Sequence, residues 1–279
     1  MTTEETMHTF ETPHPVNLRV ELWVGSVDVT AADTQTTTVE LRGDPDVIDS
    51  AKVEQRGDDI VVLMPKIKGG LFRRSAEVDA TIVVPKHSNA KIETASADIR
   101  THGDLGKVDA ASGSGDVEVD QAAKADVRTG SGDIGIRAVQ GDCSTKSGSA
   151  EVSLGKVGGD CDVLSGSGDV MIDEIVGSLK VKAGSGDIIV KSSGDGVDAM
   201  AGSGDLLLRR VDHGRVKAKT GSGDITVGVA AGTAAYLDVM TVTGDVSSEL
   251  DGSEAPVDGE LTAEIFVQTG SGDVVLQRV

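Results

Sequence analysis

Aromatic and basic residues are both scarce in this chain of 279 residues. Phe, Trp and Tyr make up 2% of it, and the 46 Asp and Glu residues outnumber the 26 Lys and Arg residues. The formal net charge is −20, so the chain lacks the cationic surface that nucleic-acid phosphates require. The same charge argues against broad contact with an anionic membrane surface. The composition therefore argues against nucleic acid. We expect an unidentified protein partner, with self-association left open.

Long apolar runs are also absent. No stretch approaches the roughly 20 consecutive apolar residues that a membrane-spanning helix needs. The N-terminal sequence MTTEETMHTFETPHPVN is acidic and lacks the apolar core of a secretory signal. Taken at face value, these absences predict a cytoplasmic location.

Recognisable catalytic motifs are missing as well. Neither H-E-x-x-H nor G-x-S-x-G occurs, and the repeated Gly-Ser-Gly-Asp strings are followed by neither a helix nor a lysine, as a phosphate-binding loop would be. Trp23 and Tyr236 are too few to build an aromatic platform for sugars. The histidines are scattered at His8, His14, His87, His102 and His213. The sequence therefore predicts no enzymatic activity, no cofactor and no metal.

What the chain does have is a repeat. The string Gly-Ser-Gly-Asp occurs seven times, and degenerate copies lie between and beside the exact ones. The acidic residue recurs in steps of 17 to 19 residues from Asp98 to Asp224, and two longer steps of 21 and 28 residues follow. A fixed period of this kind is the signature of a repeat architecture. The glycines and acids of the exact copies are Gly113, Gly115, Asp116, Gly130, Gly132, Asp133, Gly166, Gly168, Asp169, Gly184, Gly186, Asp187, Gly202, Gly204, Asp205, Gly221, Gly223, Asp224, Gly270, Gly272 and Asp273.

Apolar and polar residues alternate on both sides of each string, which is the period of a strand with one buried face. A unit of about 18 residues holds two strands and two turns, and it cannot bury its own apolar face. Stacking the units about 4.8 Å apart places like residues over like and creates one aliphatic core. We therefore predict an all-β fold, a β-solenoid with two strands per coil. The solenoid repeats are expected at 96–279, with an insertion at 251–259, and a β-rich N-terminal capping region continuous with them at 1–95.

The Gly-Ser-Gly-Asp string (the corner motif) is expected to turn the chain between the two strands of a coil. Glycine reaches positive φ without steric cost, and an Asp side chain can accept a hydrogen bond from a nearby backbone N–H. We expect each Asp to bond the amides of its own turn, with its charge solvated. The alternative is an acidic ladder that holds Ca²⁺, although one carboxylate per coil supplies few ligands. Residues 25–28, Gly-Ser-Val-Asp, look like a worn copy of the motif.

One stretch is locally basic, PKIKGGLFRRSAE at Pro65–Glu77. Its cations flank apolar residues, which suits docking to a protein partner or to an anionic lipid surface. The alternative is an ordinary hairpin loop with solvated charges. The candidate docking residues are Lys66, Lys68, Leu71, Phe72, Arg73 and Arg74.

The only two cysteines, Cys143 and Cys161, are 18 residues apart, which is one repeat. In stacked coils their Cα atoms would lie about 4.8 Å apart, a distance that permits a disulfide. Parallel neighbours direct their Cβ atoms alike, however, and a cytoplasmic chain is kept reduced. We expect two adjacent, buried, reduced thiols that pack as small apolar residues.

The layout closely resembles the bacterial β-strand-repeat family known as "putative adhesins", also described as toastrack-type domains. The family pattern V-x-V-x-T-x-S-G-D-V-x-V is seen here in VRTGSGDIGI and VKAKTGSGDITV, and the C-terminal AAGTAAYLDVMTVTGDVSSEL and VQTGSGDVVLQRV match actinobacterial members. The resemblance covers nearly the whole chain. It implies a β-solenoid fold and a link to bacterial envelope-stress modules, and it implies no established activity.

Three functional hypotheses follow. The first is a non-catalytic scaffold or protein-interaction module linked to envelope-stress or regulatory systems. The second is a self-assembling filament similar to bactofilins, which requires bare terminal coils. The third is a β-helix that binds carbohydrate or another ligand, as an adhesin would. The C-terminal VVLQRV has no tail and leaves that end open to stacking, whereas the N-terminal region and the insertion 251–259 are expected to act as caps.

Overall fold

The computed structural model describes residues 4–65, 77–250 and 261–279, and most of these residues lie in β-strands. The chain divides into two compact units, Met1–Ala138 and Val139–Val279. Within the described ranges no helix has the length and apolar character needed to cross a bilayer. The six candidate docking residues of the basic stretch and the insertion 251–259 lie outside the described residues.

The first unit is built from strands and one short helix. Helix α1 begins after Asp44, whose side chain accepts a hydrogen bond from the N–H of Asp46 at 3.0 Å, and Pro45 occupies its first turn, as is common at helix N-termini. The elements are β1 (Glu4–Glu11), β2 (Asn17–Leu22), β3 (Gly25–Ala32), β4 (Thr36–Gly43), α1 (Pro45–Ile48), β5 (Lys52–Arg56), β6 (Asp59–Leu63), β7 (Val78–Pro85), β8 (Asn89–Thr94), β9 (Asp98–Ser112) and β10 (Val117–Thr129), with β11 (Ile134–Val139) ending one residue past the boundary.

The coils of the first unit do not stack in chain order. Strand β2 lies between β6 and β8, and β3 lies between β7 and β9, all in parallel pairing. The coil 17–32 is therefore inserted between the coil 59–85 and the coil 89–102. Beyond the coil 59–85 the pairing becomes antiparallel: β4 pairs with β7, β1 with β4, and β5 with β6.

The second unit consists of parallel coils throughout its described part. Its strands are β12 (Cys143–Ser149), β13 (Val152–Val157), β14 (Cys161–Ser167), β15 (Val170–Ile175), β16 (Leu179–Ser185), β17 (Ile188–Ser193), β18 (Val197–Ser203), β19 (Leu206–Val211), β20 (Gly214–Ser222), β21 (Ile225–Val229), β22 (Thr233–Thr243), β23 (Val246–Ser248), β24 (Leu261–Ser271) and β25 (Val274–Arg278).

The core of the second unit comes from columns of like residues. Strands β14, β16, β18 and β20 pair in register, so each inward residue lies beside its equivalent in the next coil. One such column consists of the fully buried residues Val163, Val181, Ala199 and Ala218. The alternation predicted from the sequence is thus the alternation of buried and exposed side chains, and the prediction of an all-β solenoid is confirmed.

The cysteines belong to the same arrangement. Strands β12 and β14 place Cys143 directly beside Cys161, and both are free and buried. The prediction of adjacent, buried cysteines is therefore confirmed. A hydrogen bond with Cys143, together with burial, raises the pKa of the Cys161 thiol, which keeps it protonated and unreactive.

The stacking order of the last coils in the second unit differs from chain order. Strand β24 lies between β20 and β22, and β25 lies between β21 and β23. The last segment of the chain, 261–278, is therefore an interior coil, and the segment 233–248 (the end coil) is outermost. The expectation that VVLQRV leaves the C-terminal end open is wrong. The segment 261–278 has an intact corner motif and a full set of inward aliphatic residues, so it is suited to burial from both sides.

Candidate functional site

The second glycine of the corner motif adopts a left-handed backbone in the second unit. Gly168 has φ of +116°, Gly186 of +118° and Gly204 of +132°. L-residues with a side chain rarely adopt this region, so glycine is required for the turn itself. For these positions the expectation of positive φ is confirmed.

Glycine is required at the first position of the motif for a different reason. No first glycine has a φ in the left-handed range, and neither do the second glycines Gly115 and Gly132. Positive φ at those positions was therefore a wrong expectation. What requires glycine is the neighbouring coil, since a Cβ built on Gly202 would lie 2.5 Å from the carbonyl oxygen of Gly184. Stacked backbones approach each other too closely at the corner to admit a side chain.

The worn copy at 25–28 also forms a corner, in a shifted frame. Gly25 has φ of +124° and stands where the second glycine stands in the exact copies. Ser26, which follows it, pairs with Asp98 and donates a hydrogen bond from its Oγ to Oδ1 of Asp79 at 2.6 Å. Ser26, and not Asp28, therefore occupies the position of the corner acid.

The corner acids form a ladder of hydrogen bonds between coils (the Asp ladder). Oδ1 of Asp169 accepts the backbone N–H of Asp187 at 2.9 Å, and Oδ1 of Asp187 accepts the N–H of Asp205 at 2.8 Å. The expectation that each Asp bonds the amides of its own turn is corrected, because the acceptor lies one coil away from the donor. The further rungs are the same kind of bond, from the backbone N–H of one Asp to Oδ1 of another. In the second unit the pairs, donor first, are Asp224 and Asp205, Asp273 and Asp224, and Asp245 and Asp273, each at 2.8 Å. In the first unit they are Asp116 and Asp98, and Asp133 and Asp116.

A buried hydroxyl beside several of the corners completes their hydrogen bonding. The residue just before the motif is Thr220 in one coil and Thr269 in another. The Thr220 hydroxyl donates to the carbonyl of Gly204, and the Thr269 hydroxyl donates to the carbonyl of Gly223, both at 3.0 Å and both in the neighbouring coil. Sequence reasoning missed these residues. Their signal was the recurrence of Ser or Thr immediately before most copies of the motif.

A polar cluster in the first unit was not anticipated. The carboxylate of Asp120 accepts the N–H of Gly103 at 2.9 Å and a hydrogen bond from Nε of Arg137. The Arg137 guanidinium lowers the pKa of Asp120, with a smaller contribution from the Gly103 amide. Gly103 has φ of +78°, and the pairing of β9 with β10 shifts register beside Asp120. The cluster therefore lies at the irregular point in the pairing of β9 with β10 and stabilises the backbone there.

The end coil of the second unit exposes side chains that every interior coil buries. Leu237 aligns with Ile265, and Val246 aligns with Val274. Leu237 and Val246 are 41% and 50% exposed, whereas Ile265 and Val274 are fully buried. The difference arises because no further coil in the described part of the chain covers the end coil.

The outer face of the end coil is apolar as well. Tyr236, Met240 and Val242 are 55%, 56% and 76% exposed. In the adjacent strand Tyr236 aligns with Glu264 and Met240 with Gln268. At these two positions the outward residue changes from polar to apolar at the last coil, whereas between them Asp238 aligns with Phe266.

The remaining candidates from the sequence are the basic stretch, a metal site and Trp23. Strand β6 ends at Leu63 and β7 begins at Val78, so the basic stretch connects two strands of one coil, where other coils have the short corner. In the ranges that the structure describes, no group of three or more His, Cys, Asp or Glu side chains is arranged to hold a metal ion. Trp23 donates from Nε1 to the carbonyl of Met64 at 3.2 Å.

Parallel coils with Gly-Asp corners define a β-solenoid repeat protein. The chain belongs to the Toastrack DUF4097 family, whose model matches residues 18–277. No curated protein matches the chain.

Several solved structures are similar to this chain. A "putative adhesin" from Parabacteroides distasonis is 13% identical with a TM-score of 0.42, over 99% of this chain and 97% of that one. A "putative adhesin" from Bacteroides fragilis is 11% identical with a TM-score of 0.41, over 99% and 97%. A "putative lipid binding protein" from Parabacteroides distasonis is 12% identical with a TM-score of 0.33, over 99% and 96%. At these identities the names of the similar proteins say nothing about a ligand of this chain.

The corner glycines are testable with a matched pair of substitutions. Gly186→Val should lower the free energy of unfolding by about 2–4 kcal/mol, because strained backbone and overpacking are among the most costly changes; its Cβ would overlap the Gly168 carbonyl. Gly135→Val is the control, since the nearest atom to its Cβ is Cγ of Glu118 at 3.9 Å. Urea unfolding of both variants gives the comparison. Equal stability of the two would contradict the account of the corner.

The Asp ladder is testable at one rung. Asp187→Ala removes the acceptor for the N–H of Asp205, so we expect a loss of about 1 kcal/mol in unfolding free energy and faster hydrogen exchange at the Asp205 amide. Asp187→Asn keeps an acceptor oxygen and should lose less than Asp187→Ala. If the Asp205 amide exchanged at the same rate in the wild type and in Asp187→Ala, the hydrogen bond would carry no stability.

Proposed function

We propose that this chain is a non-catalytic scaffold or protein-interaction module whose binding surface is the end coil. The observation that supports this most directly is the contrast between aligned residues of neighbouring coils: Leu237 and Val246 are exposed where Ile265 and Val274 are buried. Exposed apolar surface of this kind, extending onto the outer face, is typical of binding sites on soluble proteins.

The edge of the end coil strengthens the proposal. An uncovered edge strand exposes unpaired N–H and C=O groups, and proteins usually block such edges with charges, prolines or covering elements. Strand β22 contains neither Lys, Arg nor Pro, and its one charged residue is Asp238. An edge without these protections is suited to pairing with another chain.

The filament hypothesis is less well supported by the same strands. A filament made by stacking coils needs matching parallel strands at both of its joining surfaces. In the first unit the strands beyond the coil 59–85 are antiparallel, and the outermost strand β1 has the polar sequence EETMHTFE. Such a strand does not match the apolar parallel edge of β22.

A role in envelope-stress or regulatory systems is the finer part of the proposal. Its support is the family resemblance of the repeat and C-terminal sequences. A carbohydrate-binding role has less support. Tyr236, the exposed aromatic of the end coil, aligns with Glu264 on β24 and not with a second aromatic residue, since Phe266 aligns with Asp238.

The proposal predicts where a partner is captured. A photo-crosslinking amino acid at Val242 should yield one discrete adduct with another protein in the native host, because this position has the most exposed large apolar side chain of the end coil. The matched control is the same amino acid at Lys182, which is exposed on the outer face of an interior coil. The proposal fails if neither position gives an adduct, or if both give the same ones.

A further inference from the structure

We propose that the free edge of β22 binds an extended segment of a partner protein that adds a parallel strand and carries Lys or Arg among its apolar residues. This inference rests on the proposed function and specifies the chemistry of the partner. Strand addition to a sheet edge is a common mode of peptide recognition, in which main-chain hydrogen bonds give affinity and alternate side chains give specificity.

The first step is the pairing of the end coil. Among the residues that the structure describes, β22 pairs with β24 alone and β23 pairs with β25 alone. The opposite edge of each strand therefore has no strand beside it in these ranges. An added strand with inward apolar residues would cover Leu237 and Val246, as the coil 261–278 covers Val216 and Ile225.

The second step is the direction of the added strand. Every strand pair of the second unit named above is parallel, and at each rung of the Asp ladder named above a backbone N–H of the outer coil is bonded to the carboxylate of the coil beneath it. Asp245 gives its N–H to Asp273, but no described residue donates to the carboxylate of Asp245 itself. A parallel strand followed by a turn would bring its own N–H to this carboxylate and continue the Asp ladder.

The third observation is the negative charge of the end coil and the residues around it. The described residues of 220–250 and 261–277 include six Asp or Glu residues and neither Lys, Arg nor His. The end coil contributes Asp238 and Asp245 to this set, with Glu249 just beyond it. Arg278 is the basic residue that follows, and it donates to the carbonyls of Ala230 and Thr233 at 3.1 and 2.7 Å. The uncovered edge is therefore anionic, and a cationic strand is its electrostatic complement.

The same charge argues against a second copy of this chain as the occupant. Two end coils facing each other would bring the same carboxylates together without cations between them. Like charges placed opposite each other across a sheet destabilise the pairing. A partner with Lys or Arg on its outward positions avoids this repulsion and gains attraction that falls as salt is added.

The experiment uses a peptide that this chain supplies. The synthetic peptide GRVKAKTGSGDITV has the sequence of residues 214–227, with inward apolar residues, outward Arg and Lys, and a corner motif. We expect it to bind the full chain in fluorescence anisotropy, with affinity that falls several-fold as the salt rises from about 50 to about 500 mM. The same peptide with Glu in place of its one Arg and two Lys should bind about tenfold more weakly or not at all.

Protein variants locate the site and test the direction of the strand. Leu237→Lys should abolish peptide binding, whereas Leu164→Lys should bind as the wild type does, because Leu164 is 45% exposed on an interior coil. Asp245→Ala should weaken binding about three- to tenfold through loss of the ladder acceptor. Circular dichroism melts establish that each variant is folded.

Three outcomes would overturn the inference. They are the absence of peptide binding up to about 1 mM, equal binding of the basic and acidic peptides, and a dimer of the chain in sedimentation velocity that Leu237→Lys dissociates. The last would assign the edge to a second copy. If Val242 still captured a discrete partner in any of these cases, the proposed function would stand and only the chemistry assigned to the partner would fail.

Discussion

The structure depends on parallel strands stacked in register about 4.8 Å apart. A coil of two short strands has one apolar face and cannot cover it, so each coil depends on its neighbours for stability. The close approach of successive backbones explains why the corner glycines recur even where φ is ordinary. It also explains the Asp ladder, because stacking brings the backbone N–H of the next coil within hydrogen-bond distance of the corner carboxylate.

The same constraint makes the last coil of a stack different from the rest. Its inward residues have a neighbour on one side only, and each Val or Leu left exposed forgoes roughly 1.5–3 kcal/mol of burial. In the second unit the coil in this position is 233–248, and the chain returns to place 261–278 beneath it. The coil with the intact corner motif is thereby kept inside, and the coil with a degenerate corner is left with its inward residues exposed.

Much of this could be predicted from the sequence, and the failures have physical reasons. The 18-residue spacing and the period-two alternation determine the coils, the corners and the pairing of Cys143 with Cys161, because these are properties of one repeat and its neighbour. The order of stacking is not such a property. Since the inward columns of 233–248 and 261–278 both fit the coil 214–229, the pattern alone cannot choose between them. The Asp120 cluster could not be foreseen either, because it depends on an irregularity at Gly103. The exposed face of the end coil did leave a signal in the sequence, namely outward apolar residues beside a long stretch without Lys or Arg.

Native-state hydrogen exchange tests the stacking order most directly. If 261–278 is an interior coil, the amides of β24 around Ile265 should exchange only through large openings, whereas those of β22 around Leu237 should exchange through local fraying of the end coil. We expect the amides of residues 235–241 to exchange at least a hundredfold faster than those of 263–269, measured without any partner. Protection that follows chain order, with 235–241 as slow as or slower than 263–269, would contradict the insertion of the last coil and with it the assignment of the exposed edge.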